Sequence, residues 1–299
     1  MKAIVFGGSG FIGSYVADEL TNRKFDVTIF DLKESLYCRE NQKMIIGNIL
    51  DVDLVLDSIK GFDIVYNFAG LADIDEAINN PIDTIKLNIL GNANIMEACI
   101  QNMVKRFVFA SSIYVFSKKG LFYGISKQSS ERFVDAYLER FNLEYTIIRY
   151  GSLYGPRADH RNGIYRLLKQ AIEKGRIVYR GDSEDTREYI HVRDAAALSV
   201  DILDDKYKNK HLILTGVEKY KYDELLKMIS EIFENKIEVE YSCDNMDGHY
   251  TITPYAFHPT IGKKLVSNSY VDLGQGLLEC IADIHNDVHG KSQDFNIRL

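Results

Sequence analysis

A short apolar strand that leads into a glycine-rich loop and then into a helix constrains this chain more than any other feature. Residues 2–6 (KAIVF) are typical of a buried strand, 7–13 (GGSGFIG) are mostly glycine, and a helix is predicted over 11–22. Glycines at this position allow a tight turn and close approach of the backbone to a pyrophosphate, and the start of the helix offers unpaired N–H groups. A second strand at 26–30, followed by Asp31, completes the pattern of a dinucleotide-binding unit.

The residue after the second strand predicts which dinucleotide this loop binds. Asp31 lies 24 residues after Gly7, where an acid is expected to bond the hydroxyls of the adenosine ribose. A carboxylate at this position repels a 2′-phosphate, so NAD is favoured over NADP, although the following Lys33 weakens that preference slightly. The alternative is a glycine turn without a ligand, and the strand before the loop and the helix after it make this the weaker interpretation.

Further strands and helices alternate through the first half of the chain. Segments typical of strands lie at 44–46, 63–67, 106–110 and 145–148, and helical patterns lie at 52–59, 81–101 and 126–141. This alternation predicts an α/β fold, a Rossmann-type doubly wound parallel sheet with helices on both faces. Ligands bind at the carboxyl ends of such strands, which is where Asp31, Ile49, Ala69 and Ser112 fall.

The regular alternation weakens after Gly151, which predicts a second and smaller α/β part. Helices are expected at 161–174, 201–206, 222–233 and 275–288, and short strands at 177–179, 211–214 and 237–241. We therefore predict a dinucleotide-binding domain over 1–151, to which a segment near 190–216 returns. Residues 152–189 and 217–299 are expected to form a smaller C-terminal lobe that binds the substrate.

A tyrosine and a lysine four residues apart mark the candidate chemistry. Tyr123 and Lys127 share one face of a predicted helix and follow Ser112 by eleven and fifteen residues. An ammonium next to a phenol favours the phenolate, so the pattern predicts a lowered pKa for Tyr123 and a base that works near neutral pH. Because the same spacing also occurs by chance on solvated helix faces, the preceding dinucleotide pattern is what favours catalysis.

The bulk composition excludes several classes of protein. A net charge of −7 over 299 residues argues against general nucleic-acid binding. The chain shows neither a secretory signal at its start nor an apolar run near the roughly 20 residues needed to span a bilayer, so we expect a cytoplasmic protein without membrane contact. The cysteines lie far apart without a Cys-x-x-Cys pair, which predicts free thiols and no metal site; they are Cys38, Cys99, Cys243 and Cys280.

Nine segments in chain order resemble one known family. They are GGSGFIG at 7–13, Asp31, GNILD at 47–51, NFAG at 67–70, LNILGNANIMEAC at 87–99, FASSIYVF at 109–116, YGISK at 123–127, RYGSLYGPR at 149–157 and TREYIHVRDAA at 186–196. Together they resemble the extended short-chain dehydrogenases/reductases of the nucleotide-sugar epimerase/dehydratase group, in particular UDP-glucose 4-epimerase.

The resemblance implies a role for individual residues. Ser112, Tyr123 and Lys127 are expected to form the catalytic set. The residues expected to bind NAD are Gly7, Gly10, Phe11, Ile12, Asp31, Leu32, Asn48, Ile49, Phe68, Ala69, Gly70, Asn88, Lys127 and Tyr150. The residues expected to contact a nucleotide-diphosphate sugar are Ser152, Asn162, Tyr179 and Arg187, of which Arg187 would bind the diphosphate. The family also implies a homodimer that pairs the helices near 81–101 and 126–141.

The reaction implied by the resemblance starts with oxidation of a sugar hydroxyl, at C4 in most of the family. Return of the hydride to the other face of the ring gives a C4 epimer and leaves NAD unchanged, whereas release of the keto sugar makes the protein a net 4-dehydrogenase or ketoreductase. A non-catalytic dinucleotide sensor is the alternative from another class.

Two residues and one chain length narrow these choices. Dehydratases of the group carry an acid pair just after the catalytic hydroxyl residue, and decarboxylases keep a glutamate there, whereas this chain has Ile113 and Tyr114. Both of those reactions are therefore disfavoured. The connection from Ser112 to Tyr123 is about a dozen residues shorter than is usual for the family, which predicts a more open site for a larger sugar. Ser152 also replaces the usual asparagine.

Overall fold

The computed structural model describes residues 1–117, 119–242, 251–253, 263–267 and 269–289. The strands found in these residues are β1 (Lys2–Phe6), β2 (Asp26–Asp31), β3 (Gln42–Ile46), β4 (Ile64–Asn67), β5 (Arg106–Ser112), β6 (Tyr145–Tyr150), β7 (Ser152–Tyr154), β8 (Arg176–Arg180), β9 (Thr186–Arg187), β10 (Tyr189–His191), β11 (Lys210–Leu214), β12 (Tyr220–Lys221), β13 (Glu238–Ser242) and β14 (Lys263–Leu265).

The α-helices of the same residues are α1 (Phe11–Asn22), α2 (Val52–Ser58), α3 (Ile74–Asn79), α4 (Pro81–Thr84), α5 (Gly91–Gln101), α6 (Leu121–Phe141), α7 (Gly163–Lys174), α8 (Val192–Asp201), α9 (Tyr222–Ile232) and α10 (Leu273–His289). A π-helical stretch, Ile85–Leu90, joins α4 to α5, and short 3₁₀ turns cover Ile113–Phe116 and Asp205–Tyr207. In the described part of the chain, no helix combines the length and the apolar character needed to cross a bilayer.

Eight parallel strands form the main sheet, in the order β14-β11-β6-β5-β4-β1-β2-β3. The central strands are apolar on both faces because helices cover both: Ala3–Phe6 of β1 are fully buried. The predicted doubly wound fold is confirmed. The strand order reverses between β2 and β4 on either side of β1, and in such sheets the crevice at this reversal is where ligands bind.

The chain divides into two compact units. The first comprises the described residues of Met1–Tyr150, Ala195–Leu214 and Pro254–Leu265 and contains the main sheet. The second comprises those of Gly151–Asp194, Thr215–Thr253 and Val266–Leu299. It holds three strand pairs, β7 with β10, β8 with β13 and β9 with β12. Its own core is made of apolar residues from α7, α9 and α10, such as Leu168, Ile229 and Leu277.

Several sequence predictions of single elements need correction. The helix predicted at 201–206 is wrong: α8 ends at Asp201, and Asp204 caps only a short 3₁₀ turn through the Lys206 amide. The helix predicted from 126 begins five residues earlier, at Leu121. Helix α8 was not predicted, although it has ten residues. The α3 helix and the strands β7, β9, β10, β12 and β14 were not predicted either, because segments of two to six residues carry too little periodicity.

Candidate active site

The glycine-rich loop between β1 and α1 is shaped by backbone packing. Gly7 has a φ of +76°, and a Cβ atom at this position would lie 2.6 Å from the Ala69 backbone nitrogen. A Cβ at Gly13 would overlap the carbonyl oxygen of Gly7. The loop therefore packs against the residues that follow β4, at the point where the strand order reverses. Since Gly10 precedes α1 and has no side chain, the first N–H groups of that helix are open to an anion, and the cradle fits a dinucleotide pyrophosphate.

Asp31 lies beside the same loop, as predicted for a residue that binds ribose. Its Oδ2 accepts a hydrogen bond from the Ser9 amide at 2.9 Å, and its Oδ1 accepts one from the Lys33 amide at 3.4 Å. The Ser9 hydroxyl also donates to the Lys33 carbonyl at 2.9 Å. The end of β2 and the glycine loop are thus tied together, with Leu32 exposed next to them.

Asn88 has a structural task in addition to its predicted contact with NAD. Its amide donates to the Leu71 carbonyl at 2.9 Å and to the Ser126 hydroxyl at 2.9 Å, while its side-chain oxygen accepts from the Leu71 amide at 2.7 Å. Asn88 lies in the π-helical stretch, a local distortion that often occurs at functional sites. It therefore joins the segment after β4 to helix α6.

Other residues of the predicted cofactor set are spread along the ends of β1, β3, β4 and β6. Ile49 is buried, and the Asn48 side chain accepts from the Leu50 amide at 2.9 Å. Phe68 packs its ring 6.1 Å from that of Tyr150, whose hydroxyl lies 2.6 Å from the Ser199 hydroxyl. The remaining members, Phe11, Ile12 and Gly70, lie at the start of α1 and directly after β4. Contact of this set with NAD stays a prediction.

The predicted catalytic residues come together at the end of β5 and the first turns of α6. Ser112 ends β5, and its hydroxyl is close enough to Tyr123 to act on the pKa of that phenol. The Lys127 ammonium donates to the Ala110 carbonyl at 2.8 Å and lies 5.9 Å from the centre of the Tyr123 ring. Tyr123 and Lys127 are both buried, at 9% and 6% exposure. A buried phenol, hydroxyl and ammonium in this arrangement can hold and transfer one proton.

The lowered pKa predicted for Tyr123 is wrong for the protein groups alone. Burial raises the pKa of Tyr123, and the hydrogen bond from Ser112 offsets this only in part. Lys127 has little effect, because its ammonium turns toward the Ala110 carbonyl rather than the phenol oxygen. Burial also lowers the pKa of Lys127 to about 8, against the opposing charge of Glu131.

Tyr114 and Gly120 belong to this region. The sequence indicated Tyr114 only as a residue in place of the family's acid, and it did not indicate Gly120. The Tyr114 ring meets that of Tyr123 edge to face at 6.1 Å, and its amide donates to the Ser112 hydroxyl at 3.3 Å. Gly120 precedes α6 with a φ of +83°, and a Cβ there would lie 2.7 Å from the Tyr114 ring. Gly120 therefore packs directly against Tyr114. The glycine itself was the one sign in the sequence of this positive φ.

The predicted substrate residues all lie in the second unit. Asn162 caps α7 by accepting from the Tyr165 amide at 3.2 Å and also donates to the Leu153 carbonyl at 2.8 Å. The Tyr179 ring stacks on that of Tyr222 at 4.3 Å. Asn162 and Tyr179 thus have structural tasks that the sequence did not predict.

The other two substrate candidates are an arginine and a serine. Arg187 is buried and donates to the carbonyl of Thr186 at 2.9 Å and to that of Thr251 at 3.3 Å. Ser152 begins β7. Their contact with a sugar nucleotide remains a prediction. In the described residues, no group of three or more histidines, cysteines or acids is placed to hold a metal ion.

The fold and site define a Rossmann-type protein in which one sheet carries a glycine-rich cradle and a buried tyrosine and lysine. Comparison with known families agrees, because the model of the NAD-dependent epimerase/dehydratase family matches residues 3–214. The chain belongs to this family. It is therefore an enzyme with NAD as its cofactor, which argues against the alternative of a non-catalytic sensor.

Individual relatives differ in their reactions. The chain is 29% identical over 249 residues to a UDP-N-acetyl-α-D-glucosaminuronate decarboxylase of Bacillus cytotoxicus, covering 74% of this chain and 76% of that protein. It is 28% identical over 248 residues to a putative UDP-glucose 4-epimerase of Methanocaldococcus jannaschii, covering 76% and 80%. In structure it is similar to a UDP-N-acetylglucosamine 4-epimerase of Methanobrevibacter ruminantium M1, with a TM-score of 0.83, 24% identity and coverage of 96% and 98%.

Proposed function

We propose that this enzyme is a C4 epimerase of a nucleotide-diphosphate sugar. The observation that supports this best is the buried group of Ser112, Tyr123 and Lys127 at the carboxyl end of β5. The glycine cradle lies at the carboxyl end of β1 in the same sheet. Names of relatives point to a UDP-sugar, since both a decarboxylase and a putative epimerase among them act on one.

The chain's own residues would handle the proton. NAD, when bound, supplies the hydride acceptor and a positive charge that favours the ionised form of Tyr123. The phenol oxygen of Tyr123 takes the proton of the sugar hydroxyl, and Ser112 donates to the same sugar oxygen as its negative charge develops. General-base help of this kind is worth roughly 10² to 10⁴ in rate. Lys127 holds the nicotinamide ribose, as the resemblance implies.

The surroundings of Tyr123 favour epimerisation over elimination or decarboxylation. Ile113 is buried, and Tyr114 packs its ring against Tyr123. Neither side chain provides the carboxylate that the dehydratases and decarboxylases of the family carry at these positions, as the resemblance implies. A net 4-dehydrogenase or ketoreductase would use the same Tyr123 and Ser112, so it is the alternative that the experiment below must separate.

Substrate binding is proposed for Ser152, Asn162, Tyr179 and Arg187. Arg187 is the candidate for the diphosphate, because a guanidinium matches phosphate oxygens in both charge and shape. The short connection between β5 and α6 supports a sugar larger than glucose.

A deuterium experiment distinguishes the candidate reactions. A panel of UDP-, GDP- and dTDP-sugars carrying deuterium at C4 is incubated with the NAD-loaded enzyme, and products are followed by NMR and by NADH absorbance. An epimerase gives the C4 epimer with its deuterium retained and no lasting NADH. A net dehydrogenase accumulates reduced NAD that carries the deuterium. Release of carbon dioxide or loss of water would contradict the proposal, as would a panel without any product.

Two tyrosine variants provide the matched comparison. Tyr123→Phe removes the proposed base, and we expect the rate to fall at least about a hundredfold while the protein still folds and binds NAD. Tyr207→Phe makes the same change in the 3₁₀ turn that precedes β11, at the amino ends of the strands, and should leave the rate unchanged. Equal rates in the two variants would exclude Tyr123 as the base.

We further propose a homodimer through α6 and the helix formed by α4, the π-helical stretch and α5. Both carry exposed apolar side chains, including Ile82, Leu90, Ile125 and Phe133. Sedimentation should give twice the 34.2 kDa mass of one chain, and Phe133→Glu should lower it. A monomer at micromolar concentration would contradict this.

The cytoplasm is the proposed compartment, since Cys99 and Cys280 are buried free thiols; cell fractionation tests it.

A further inference from the structure

One helical turn beyond Lys127, α6 carries a buried carboxylate whose oxygens are both bonded. Glu131 accepts from the Ser111 hydroxyl at 2.5 Å and from the Arg149 Nε at 3.0 Å through Oε1. Its Oε2 accepts from the Arg149 Nη2 at 2.8 Å. Arg149 thus forms a bidentate ion pair with Glu131, an arrangement that binds a carboxylate more strongly than a single hydrogen bond does. Because Glu131 is only 6% exposed, solvent screens this pair weakly.

The pair continues into a network that involves α6, β6 and β11. Arg149 Nη2 lies 2.9 Å from His211 Nδ1, and His211 Nε2 lies 3.0 Å from Asp135 Oδ1. The Tyr145 hydroxyl donates to the same Asp135 oxygen at 2.5 Å. With a neutral His211, the cations Lys127 and Arg149 balance the two carboxylates. A chain of hydrogen bonds from a buried site to the half-exposed Asp135 thus connects the catalytic helix with two strands.

His211 must be neutral for this arrangement to persist. Arg149 can only donate, so its bond to Nδ1 needs a lone pair there, and the ring proton must then lie on Nε2 and face Asp135. Burial lowers the pKa of His211, but the nearby carboxylates of Glu131 and Asp135 raise it overall. Protonation of His211 would therefore replace the Arg149 bond by a bond from Nδ1 to Glu131, which lies 3.6 Å away.

Glu131 acts on the catalytic segment in two ways. Lys127 and Glu131, at i and i+4 of α6, bond to the consecutive residues Ala110 and Ser111 of β5. This fixes the register of α6 against the strand that ends in Ser112. The carboxylate also opposes the effect of burial on the Lys127 ammonium. Without the carboxylate, the Arg149 guanidinium would be left uncompensated and would repel Lys127.

We propose that Glu131 is a positioning residue that keeps the Lys127 ammonium charged and in register with β5, while Arg149 and Ser111 hold its carboxylate in place and His211 holds Arg149. This rests on the proposed function only in so far as Lys127 serves catalysis. A purely structural ion pair between α6 and the sheet would stabilise the fold but would not control the protonation of Lys127.

The test measures the protonation of Lys127 directly. The protein with bound NAD is labelled with ¹³C at the lysine ε-carbons, and Lys127, assigned through Lys127→Arg, is titrated by NMR. Glu131→Gln should lower the Lys127 pKa by about one unit or more and shift the pH profile of kcat. Glu173→Gln makes the same change in an exposed pair of equal spacing, Lys169 with Glu173 at 3.7 Å, and should leave Lys127 unchanged.

The outcomes separate this proposal from the proposed function. An unchanged Lys127 pKa in a folded Glu131→Gln protein would overturn it, whatever the sugar panel shows. If that variant does not fold, Glu131→Asp keeps the charge on a shorter arm and should lower the Lys127 pKa by less, in the same direction. If Glu131→Asp folds and its Lys127 pKa is not lowered, the proposal for Glu131 is also overturned. A decrease in the Lys127 pKa together with an inactive sugar panel would leave this inference standing and the proposed reaction wrong.

Discussion

The glycine loop and the β5–α6 segment lie in the same sheet but are built in different ways. The loop owes its shape to backbone atoms: Gly7 and Gly13 pack so closely that neither tolerates a Cβ. The β5–α6 segment owes its shape to side chains that bond across elements, Lys127 with Ala110 and Ser111 with Glu131. A side chain added in the loop should therefore cost stability, whereas the segment can lose function while its backbone stays in place.

This difference also explains where charge matters. In the loop, neutral backbone groups and the start of α1 form the anion site, so its shape depends little on pH. In the segment, Lys127 and Glu131 are ionised and buried, and each depends on its partners for that charge. Three predictions test this contrast, from the largest expected effect to the smallest.

Gly13→Ala should have the largest effect because the new methyl group overlaps the Gly7 carbonyl oxygen. We expect a loss of about 3 kcal/mol in the free energy of unfolding together with loss of NAD binding. Gly163→Ala is the matched control: it begins α7, no heavy atom lies within 4 Å of the new methyl, and it should stabilise the protein slightly. Denaturant unfolding and NAD titration measure both. A Gly13→Ala protein that binds NAD as tightly as the parent would contradict the proposal that backbone packing in the loop shapes the NAD site.

Acid should weaken the β5–α6 segment through Glu131. Burial raises the pKa of Glu131, but the neighbouring His211 and the hydrogen bonds from Arg149 and Ser111 lower it to about 2, against an ordinary value of 4.5. A carboxyl with a lower pKa in the folded state stabilises the fold above the unfolded pKa, and this contribution is lost as pH falls through the folded one. The stability advantage over Glu131→Gln should therefore disappear between about pH 4.5 and 2. An advantage independent of pH in this range would show that Glu131 acts through packing alone.

Gly120→Ala should affect catalysis more than stability. Its φ of +83° and the Tyr114 ring 2.7 Å from the new methyl both oppose the change, three residues before Tyr123. Gly61→Ala is the control for strain alone, with a φ of +76° and no heavy atom within 4 Å. Gly61→Ala should lose about 1 kcal/mol of stability, and Gly120→Ala somewhat more because of the additional contact. Only Gly120→Ala should also lose roughly tenfold in kcat, because a small displacement of a reacting group is costly. Equal kcat values in Gly120→Ala and Gly61→Ala would show that the contact with Tyr114 does not position Tyr123.

Local sequence patterns were sufficient to predict most of the strands and helices of the first unit. The buried strand before Gly7, the helix after Gly10 and the acid at Asp31 all follow from period, glycine content and spacing, and the structure places them as predicted. The same patterns gave the doubly wound sheet, since alternating strands and helices have few other ways to pack. The spacing of Tyr123 and Lys127 placed them on one face of α6 because helix geometry is local.

Long-range packing decided the rest. Arg149 and His211 join Glu131 only because β5, β6 and β11 are neighbours in the sheet, and no local pattern predicts that pairing across 80 residues of chain. The pKa of Tyr123 rises because packing around it removes water, and burial of this kind cannot be inferred from the spacing of Tyr123 and Lys127. Spacing along the chain determines which groups share a helix face or follow a strand, whereas the protonation of those groups depends on what the rest of the fold brings against them.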